Sequence, residues 1–271
     1  MKLHVRAPAT TANIGPGFDC AGAALDLWNE LEVEEGDGEL DESHLGIQAF
    51  AKFAPVDGKR FEFVSRIPRE RGLGSSASVI ALGLVAGSIA AGEEPDPEKL
   101  LAIGVELEGH ADNLAAALTG GVCLTWENRI VRVADSLPAV PFALVPEATV
   151  STSEARNSLP DTVSHEDAAF TAGRAALLGA ALAQGSAELF AEAIQDRLHE
   201  PYRAKNAPLL DKVRSDLPQG ALGATLSGSG PSVIVWVRPD AADSCEEELA
   251  RRFAEASVLR FTVSEQGAHQ A

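Results

Sequence analysis

Arg71-Gly72-Leu73-Gly74-Ser75-Ser76-Ala77-Ser78 is the stretch that decides how this 271-residue chain is read. Two glycines and three serines fall within seven residues, just before an apolar, alanine-rich run over residues 79–91. That run has no proline and only small or aliphatic side chains, so it reads as a buried helix that begins among the serines. The first N–H groups of a helix lack partners and carry the positive end of its dipole, and glycines let the backbone come close to a ligand. A phosphate suits such a place. A plain glycine turn with a serine N-cap would read the same way, and the P-loop pattern is excluded because no Lys-Ser/Thr pair closes the stretch.

Upstream, residues 2–7 alternate like a strand. Residues 7–19 are rich in turn formers and are expected to be a loop, with Asn13 and Asp19 bracketing Gly15-Pro16-Gly17. Residues 23–33 read as a strand with Trp28 and Leu31 toward the core. Residues 32–43 read as an acidic exposed loop, 45–53 as a short helix and 60–64 as a strand. Downstream, Asp96 is placed to cap a helix that opens at Pro97 and runs to Glu108. Glu106 and Glu108 lie at its C-terminal end, where carboxylates oppose the dipole unless solvent or a cation such as Mg²⁺ meets them. Gly109-His110-Ala111-Asp112-Asn113 then sets hydrogen-bonding side chains among alanines. Residues 122–126 and 130–133 form a hairpin pattern.

A second half opens with a strand at 142–146. Thr152 and Arg156 share one face if their segment is helical. Residues 167–184 and 187–198 read as a helix pair, the second ending before Pro201. A helix at 209–217, strands at 221–226 and 232–237 around Ser227-Gly228-Ser229-Gly230-Pro231, a helix at 241–256 and a strand at 258–263 complete the alternation. The tail from 266 is expected to be loose. Two domains are expected, 1–140 and 141–271, the second an open α/β sandwich.

The net charge of −18 argues against general binding to nucleic acid or a membrane surface, since both are polyanionic. No apolar run is long enough to span a bilayer, and the N-terminus has no secretory pattern. Cys20, Cys123 and Cys245 make neither a disulfide framework nor a zinc pattern, so a cytoplasmic protein with reduced thiols is expected. A protein this acidic that binds a nucleotide must concentrate positive potential locally, through helix ends, a metal and a few arginines.

Three stretches resemble one superfamily, the GHMP kinases: residues 8–19, Gly72-Leu73-Gly74-Ser75-Ser76-Ala77, and Ser227-Gly228-Ser229-Gly230-Pro231-Ser232. Within it, residues 13–19, Glu108-Gly109-His110-Ala111-Asp112-Asn113, Thr152 with Arg156, and His199-Glu200-Pro201-Tyr202-Arg203 resemble the homoserine kinase family. The resemblance covers residues 5 to about 235. It implies an α+β, two-domain GHMP kinase fold: an N-terminal domain with a left-handed βαβ unit and a C-terminal ferredoxin-like α/β sandwich, the active site lying between them. It implies transfer of a phosphoryl group from ATP to L-homoserine in threonine biosynthesis, and a homodimer.

By the same resemblance, residues 71–78 (Arg71, Gly72, Leu73, Gly74, Ser75, Ser76, Ala77 and Ser78) wrap the ATP phosphates. Ser76 and a helical glutamate hold Mg²⁺, an ion that prefers oxygen ligands. Glu106 is favoured for that glutamate, with Glu108 in reserve. Arg156 and Arg203 suit a carboxylate, because guanidinium groups bind carboxylates bidentately. Asp19 and Asp112 suit an ammonium; Asn13 and His110 orient the hydroxyl and its polar neighbours, with Thr152 in support.

Where mevalonate kinase and galactokinase are assigned an aspartate base, the matching position here is Asn113, which cannot take a proton. Direct in-line attack by the substrate hydroxyl follows, with Asn13, Asp112, Asn113 and Arg156 around the reacting groups. The chain departs from the pattern at His44-Leu45-Gly46, where an asparagine is expected near the adenine. The rival readings are a kinase for a mevalonate-type acid and a non-catalytic sensor of an amino acid or nucleotide.

Overall fold

Residues 2–271 are described by a computed structural model. Two antiparallel sheets carry the fold. The frame of the first is β1 (Lys2–Asn13), paired along its length with β2 (Gly17–Glu35). One half of β2 pairs with β3 (Lys59–Val64) and the other with β4 (Val122–Trp126), which pairs with β5 (Arg129–Ala134).

Residues 7–19, expected as a loop, are the second half of β1, a tight turn and the start of β2. From Ala7 to Asn13 every residue is buried, so the backbone groups there must be paired and the strand ladder supplies the partners. Pro8 has no N–H to give, and the register shifts between Pro8 and Ala9. Asn13, Ile14 and Gly15 make the turn at φ of 70°, 45° and 75°. β2 likewise runs on through the acidic stretch to Glu35, with Glu30 and Glu34 paired to Arg66 and Arg60.

Four helices share a core with Val5, Leu31 and Val33 of this sheet: α1 (Leu45–Ala51), α2 (Ser75–Ala90), α3 (Pro97–Glu108) and α4 (Asp112–Thr119). α2 is buried from Ala77 to Ser88, which explains its uninterrupted apolar sequence. Asp96 caps α3, its carboxylate accepting from the Glu98 N–H at 3.0 Å.

The second sheet has the order β7-β8-β6-β9, formed by β6 (Val140–Pro146), β7 (Ala221–Leu226), β8 (Val233–Val237) and β9 (Ala256–Arg260). With helices between β6 and β7 and between β8 and β9, this is the ferredoxin-like β-α-β-β-α-β arrangement. The β6–β7 connection carries α5 (Thr152–Asn157), α6 (His165–Gln184), α7 (Ala187–Ala193), α8 (Glu200–Arg203) and α9 (Leu209–Ser215), and α10 (Ala242–Arg252) precedes β9.

Pro201 does not stop a helix running from 187. α7 ends at Ala193, and Pro201 opens α8 from inside its first turn, where its missing N–H costs nothing. Asp196 replaces the lost helical bonds by accepting from the N–H groups of Leu198, His199 and Glu200.

The tail is not loose. Thr262 donates to Asp26, Ala268 to the Ala117 carbonyl, and β10 (His269–Gln270) pairs with the outer edge of β1. The first sheet is thus built from residues 2–134 with 269–270, and the second from 140–260. Ala9, Ala23 and Leu25 of the first sheet share a core with Ala143, Ile234 and Trp236 of the second, and with Leu178 of α6 and Phe190 of α7. This joint sets the β1–β2 turn, the N-terminus of α2 and the turn after β7 side by side.

Candidate active site

At that joint lies a cleft of about 200 Å³. α2 enters it N-terminus first. Its N-cap, Gly74, is left-handed at φ 65° and no side chain caps the helix, so the first-turn N–H groups point into the cleft without an internal partner. Both glycines of the loop are required by space. A Cβ on Gly74 would overlap the Thr10 hydroxyl, and one on Gly72 would overlap the Ser227 carbonyl. The Ser227 hydroxyl donates to the Gly72 carbonyl at 2.6 Å, so the glycine-rich turn after β7 clamps the loop from the other sheet.

The Ser76 hydroxyl donates to Glu108 Oε2 at 2.7 Å. Glu106 lies outside the cleft, two-thirds exposed and paired with Lys52 at 3.2 Å. Two positions apart on α3, the favoured Glu106 faces solvent and the reserve Glu108 faces the loop. The Glu108 side chain is only 8% exposed, and its nearest cationic candidate, His110 Nδ1, is 3.9 Å away. Burial raises its pKa, against the hydrogen bond from Ser76. Burial lowers the pKa of His110, whose Nδ1 has no hydrogen-bond partner.

Asn13, at its positive φ, donates from Nδ2 to the Gly228 carbonyl at 2.9 Å and accepts from the Asp19 N–H at 3.0 Å. Asp112 opens α4, buried, and accepts from the Asn113 N–H at 2.7 Å. Burial pushes it up to about 6, reinforced by the negative charge of Asp19 and opposed by that hydrogen bond. The Asn113 amide oxygen accepts from the Thr10 hydroxyl at 2.7 Å, which fixes the amide's orientation.

Across the cleft, the helix read from the spacing of Thr152 and Arg156 is α5, and both residues line the cavity. Arg156 forks onto both oxygens of Asp19, at 3.0 and 2.8 Å. Arg203 is buried, donates to the Gly228 carbonyl at 3.1 Å and has an unpartnered Nε; His199 lies beside it, its Nε2 against the Gly15 carbonyl at 2.8 Å.

The cleft therefore gathers Asn13, Asp19, Gly72, Gly74, Ser75, Ser76, His110, Asp112, Asn113, Thr152, Arg156 and Arg203. Four residues of the loop stretch do not turn their side chains into it. Leu73 and Ala77 are core residues, the Ser78 hydroxyl donates to the Ala7 carbonyl, and Arg71 binds the carbonyls of Pro146 and Glu147. Phe18 was missed by sequence reasoning: its ring stacks on His199 at 5.0 Å with Arg203 5.1 Å away. So was Thr10. Both act through partners more than a hundred residues off, which local patterns do not encode.

A neighbouring cavity of about 300 Å³ shares Glu70, Ser75 and Ser76 with the cleft and continues to His44, Leu45 and Val79. His44 packs on Phe63 at 4.1 Å, and its buried Nδ1 has no partner.

Anion-binding helix end, hydroxyl with carboxylate, and a polar acceptor pocket between two sheets of this topology define a small-molecule kinase of the GHMP type. The chain matches the family GHMP kinases N terminal domain over residues 44–121 and the family GHMP kinases C terminal over residues 178–255. It is 39% identical to homoserine kinase of Gloeobacter violaceus, covering 94% of each chain, and 41% identical to that of Clavibacter michiganensis over 86% of this chain and 82% of the relative. A crystal structure of homoserine kinase from Cytophaga hutchinsonii superposes with a TM-score of 0.89 at 28% identity, covering 100% of this chain and 97% of that one. The chain belongs to the homoserine kinase family.

Proposed function

We propose that this kinase transfers the γ-phosphoryl group of ATP to the side-chain hydroxyl of L-homoserine, as the names of its relatives imply. The observation that carries the reading is the single cleft in which a free helix N-terminus with Ser76 and Glu108 faces Asp19, Asp112, Arg156 and Arg203. The first set suits a metal-bound triphosphate and the second a zwitterion.

The N–H groups at the start of α2 hold the phosphates, and the adjoining cavity at His44 takes the adenine. Ser76 and Glu108 suit Mg²⁺: two hard oxygens side by side at the start of α2, one of them a buried carboxylate. Among the described residues no three His, Cys, Asp or Glu side chains gather as a metal site, which fits an ion held largely by phosphates and waters. When bound, it neutralises charge on the phosphates.

Arg203 and Arg156 receive the substrate carboxylate, while Asp19 and Asp112 receive the ammonium. Asn13, His110 and Thr152 orient the hydroxyl and the groups around it. Asn113, locked by Thr10, positions and takes no proton, so the hydroxyl attacks in line, assisted by positioning and charge. A homodimer acting in the cytoplasm is part of this reading; the three unpaired cysteines are in keeping with a reducing compartment.

ADP release with Mg-ATP across homoserine, mevalonate, shikimate and a no-acceptor control tests it. Turnover on homoserine is expected. Turnover on another alcohol alone would overturn the acceptor, and silence on all with ATP still bound would overturn the kinase reaction.

A further inference from the structure

The cleft and the neighbouring cavity at His44 meet at three residues, Glu70, Ser75 and Ser76. The two serines open α2 and belong to its anion-binding end. Glu70 does not. It is exposed, and among the described residues no hydrogen bond or ion pair engages its carboxylate. Its backbone is left-handed at φ 54°, a conformation that strains a residue carrying a Cβ. Two ties hold it there. The Glu70 carbonyl accepts from the Val150 N–H at 3.2 Å, and the Arg71 guanidinium donates to the carbonyls of Pro146 and Glu147. The segment that follows β6 thus fixes where Glu70 stands, although β6 belongs to the second sheet. Backbone strain held in place by outside contacts collects at ligand clamps, and here it carries a carboxylate with both oxygens free.

We propose that Glu70 binds the ribose hydroxyls of the nucleotide and makes the kinase discriminate ribonucleotides from their deoxy analogues. The inference rests on the placement above, with the phosphates at the start of α2 and the base in the cavity at His44. The ribose joins base to phosphates, so with the two ends so placed it crosses the junction that Glu70 lines. A carboxylate beside the phosphates would repel them. Beside the sugar it meets two neighbouring hydroxyls, and an ionised carboxylate offers two acceptor oxygens and no donor. Carboxylates hold ribose hydroxyls in this way in dinucleotide-binding folds. Ser76, at the same junction, already gives its proton to Glu108.

The test measures Kd for ADP and 2′,3′-dideoxyADP by calorimetry with Mg²⁺ and no acceptor, so it is independent of which alcohol is phosphorylated. Wild type is expected to bind ADP about tenfold or more tighter than the dideoxy analogue, because hydrogen bonds to a charged group are the strong ones. Glu70→Gly removes the carboxylate and suits φ 54°, so the loop keeps its shape. It should bring the two Kd values to within about twofold of each other by weakening ADP alone. Glu70→Gln keeps one acceptor oxygen and should fall between. A wild-type preference below about twofold overturns the inference, as does parallel weakening of both nucleotides in folded variants. A raised Mg²⁺ requirement with the preference unchanged makes Glu70 a metal ligand and also overturns it. Leu45→Trp fills the cavity at His44 and should block ADP. If that variant, folded by circular dichroism, binds ADP as wild type does, the base lies elsewhere and the inference falls with its placement. If it blocks ADP while the Glu70 variants keep the wild-type preference, the inference alone falls.

Discussion

The Ser76 hydroxyl donates to Glu108 across 2.7 Å and joins the start of α2 to the end of α3. The carboxylate is buried, and burial raises its pKa against the hydrogen bond from Ser76 and the neighbouring His110, 3.9 Å away. Glu106, two residues earlier, points the other way into solvent.

Glu108→Gln is expected to lower kcat about 100-fold or more and to raise the Mg²⁺ concentration needed for half-maximal rate. Glu106→Gln should stay within about twofold in both, since an exposed ion pair contributes little. Magnesium titrations at saturating ATP separate them. Equal losses in the two variants would remove Glu108 from the metal site.

The phosphate loop offers a stability test. Gly74→Ala places a Cβ at φ 65° against the Thr10 hydroxyl, which also holds Asn113. The left-handed backbone and the overlap together should cost about 2 kcal/mol or more, and the displaced loop should raise the KM for ATP. Gly109→Ala has a positive φ as well but open space around it, so it should cost only about 1 kcal/mol and leave the ATP KM alone. Urea denaturation and nucleotide titration of the two variants check the contrast.

Much of this site was legible because its signals are local. Glycines before serines before an apolar run mark the α2 N-terminus, and Asp96-Pro97 marks the start of α3, by capping rules that span a few residues. Where tertiary burial overrode local composition, the reading failed. Residues 7–13 carry proline, threonines and asparagine yet form a strand buried on all sides, and the polar tail is held because the edge of β1 needs a partner. The choice between Glu106 and Glu108 turned on which face of α3 meets the loop, a matter of packing. The Asp19–Arg156 fork joins residues 137 apart and leaves no mark in spacing.

Asp112 makes activity and stability depend on pH in opposite directions. Burial raises its pKa to about 6, and in the role proposed for it, receiving the substrate ammonium, it must be ionised. The kcat/KM for homoserine should therefore fall about tenfold per pH unit below about 6, and Asp112→Asn should flatten that limb. For stability, a raised folded-state pKa means that the folded state holds the proton more tightly between about pH 4 and 6, so stability falls as pH rises through that window. Unliganded Asp112→Asn should thus be more stable than wild type at pH 8, by up to about 3 kcal/mol, with the difference vanishing below pH 4. Its homoserine KM should rise more than its kcat falls. Lost turnover with unchanged homoserine affinity would make Asp112 the base and overturn direct attack.

Glu200 ties the substrate side of the cleft to the second sheet. It is fully buried at the start of α8, one oxygen accepting from the Leu226 N–H at 2.8 Å and the other from Arg214 at 2.5 Å. α8 carries Arg203, and Leu226 leads into Ser227-Gly228, so the Glu200 carboxylate holds the two cleft walls around Arg203 in register. In Glu200→Gln the amide can accept from only one of these donors and turns its own N–H groups toward the other. The expected cost is about 3 kcal/mol, because either the buried Leu226 N–H or the partly buried Arg214 guanidinium loses its acceptor and meets an N–H group instead. Pairing the change with Arg214→Met should recover part of it, since the stranded charge is then gone. With Arg203 loosened, the homoserine KM should rise while the ATP KM stays put. Chemical denaturation of the single and double variants, with both KM values, decides this: a Glu200→Gln protein as stable as wild type would mean that the two walls are aligned by packing alone.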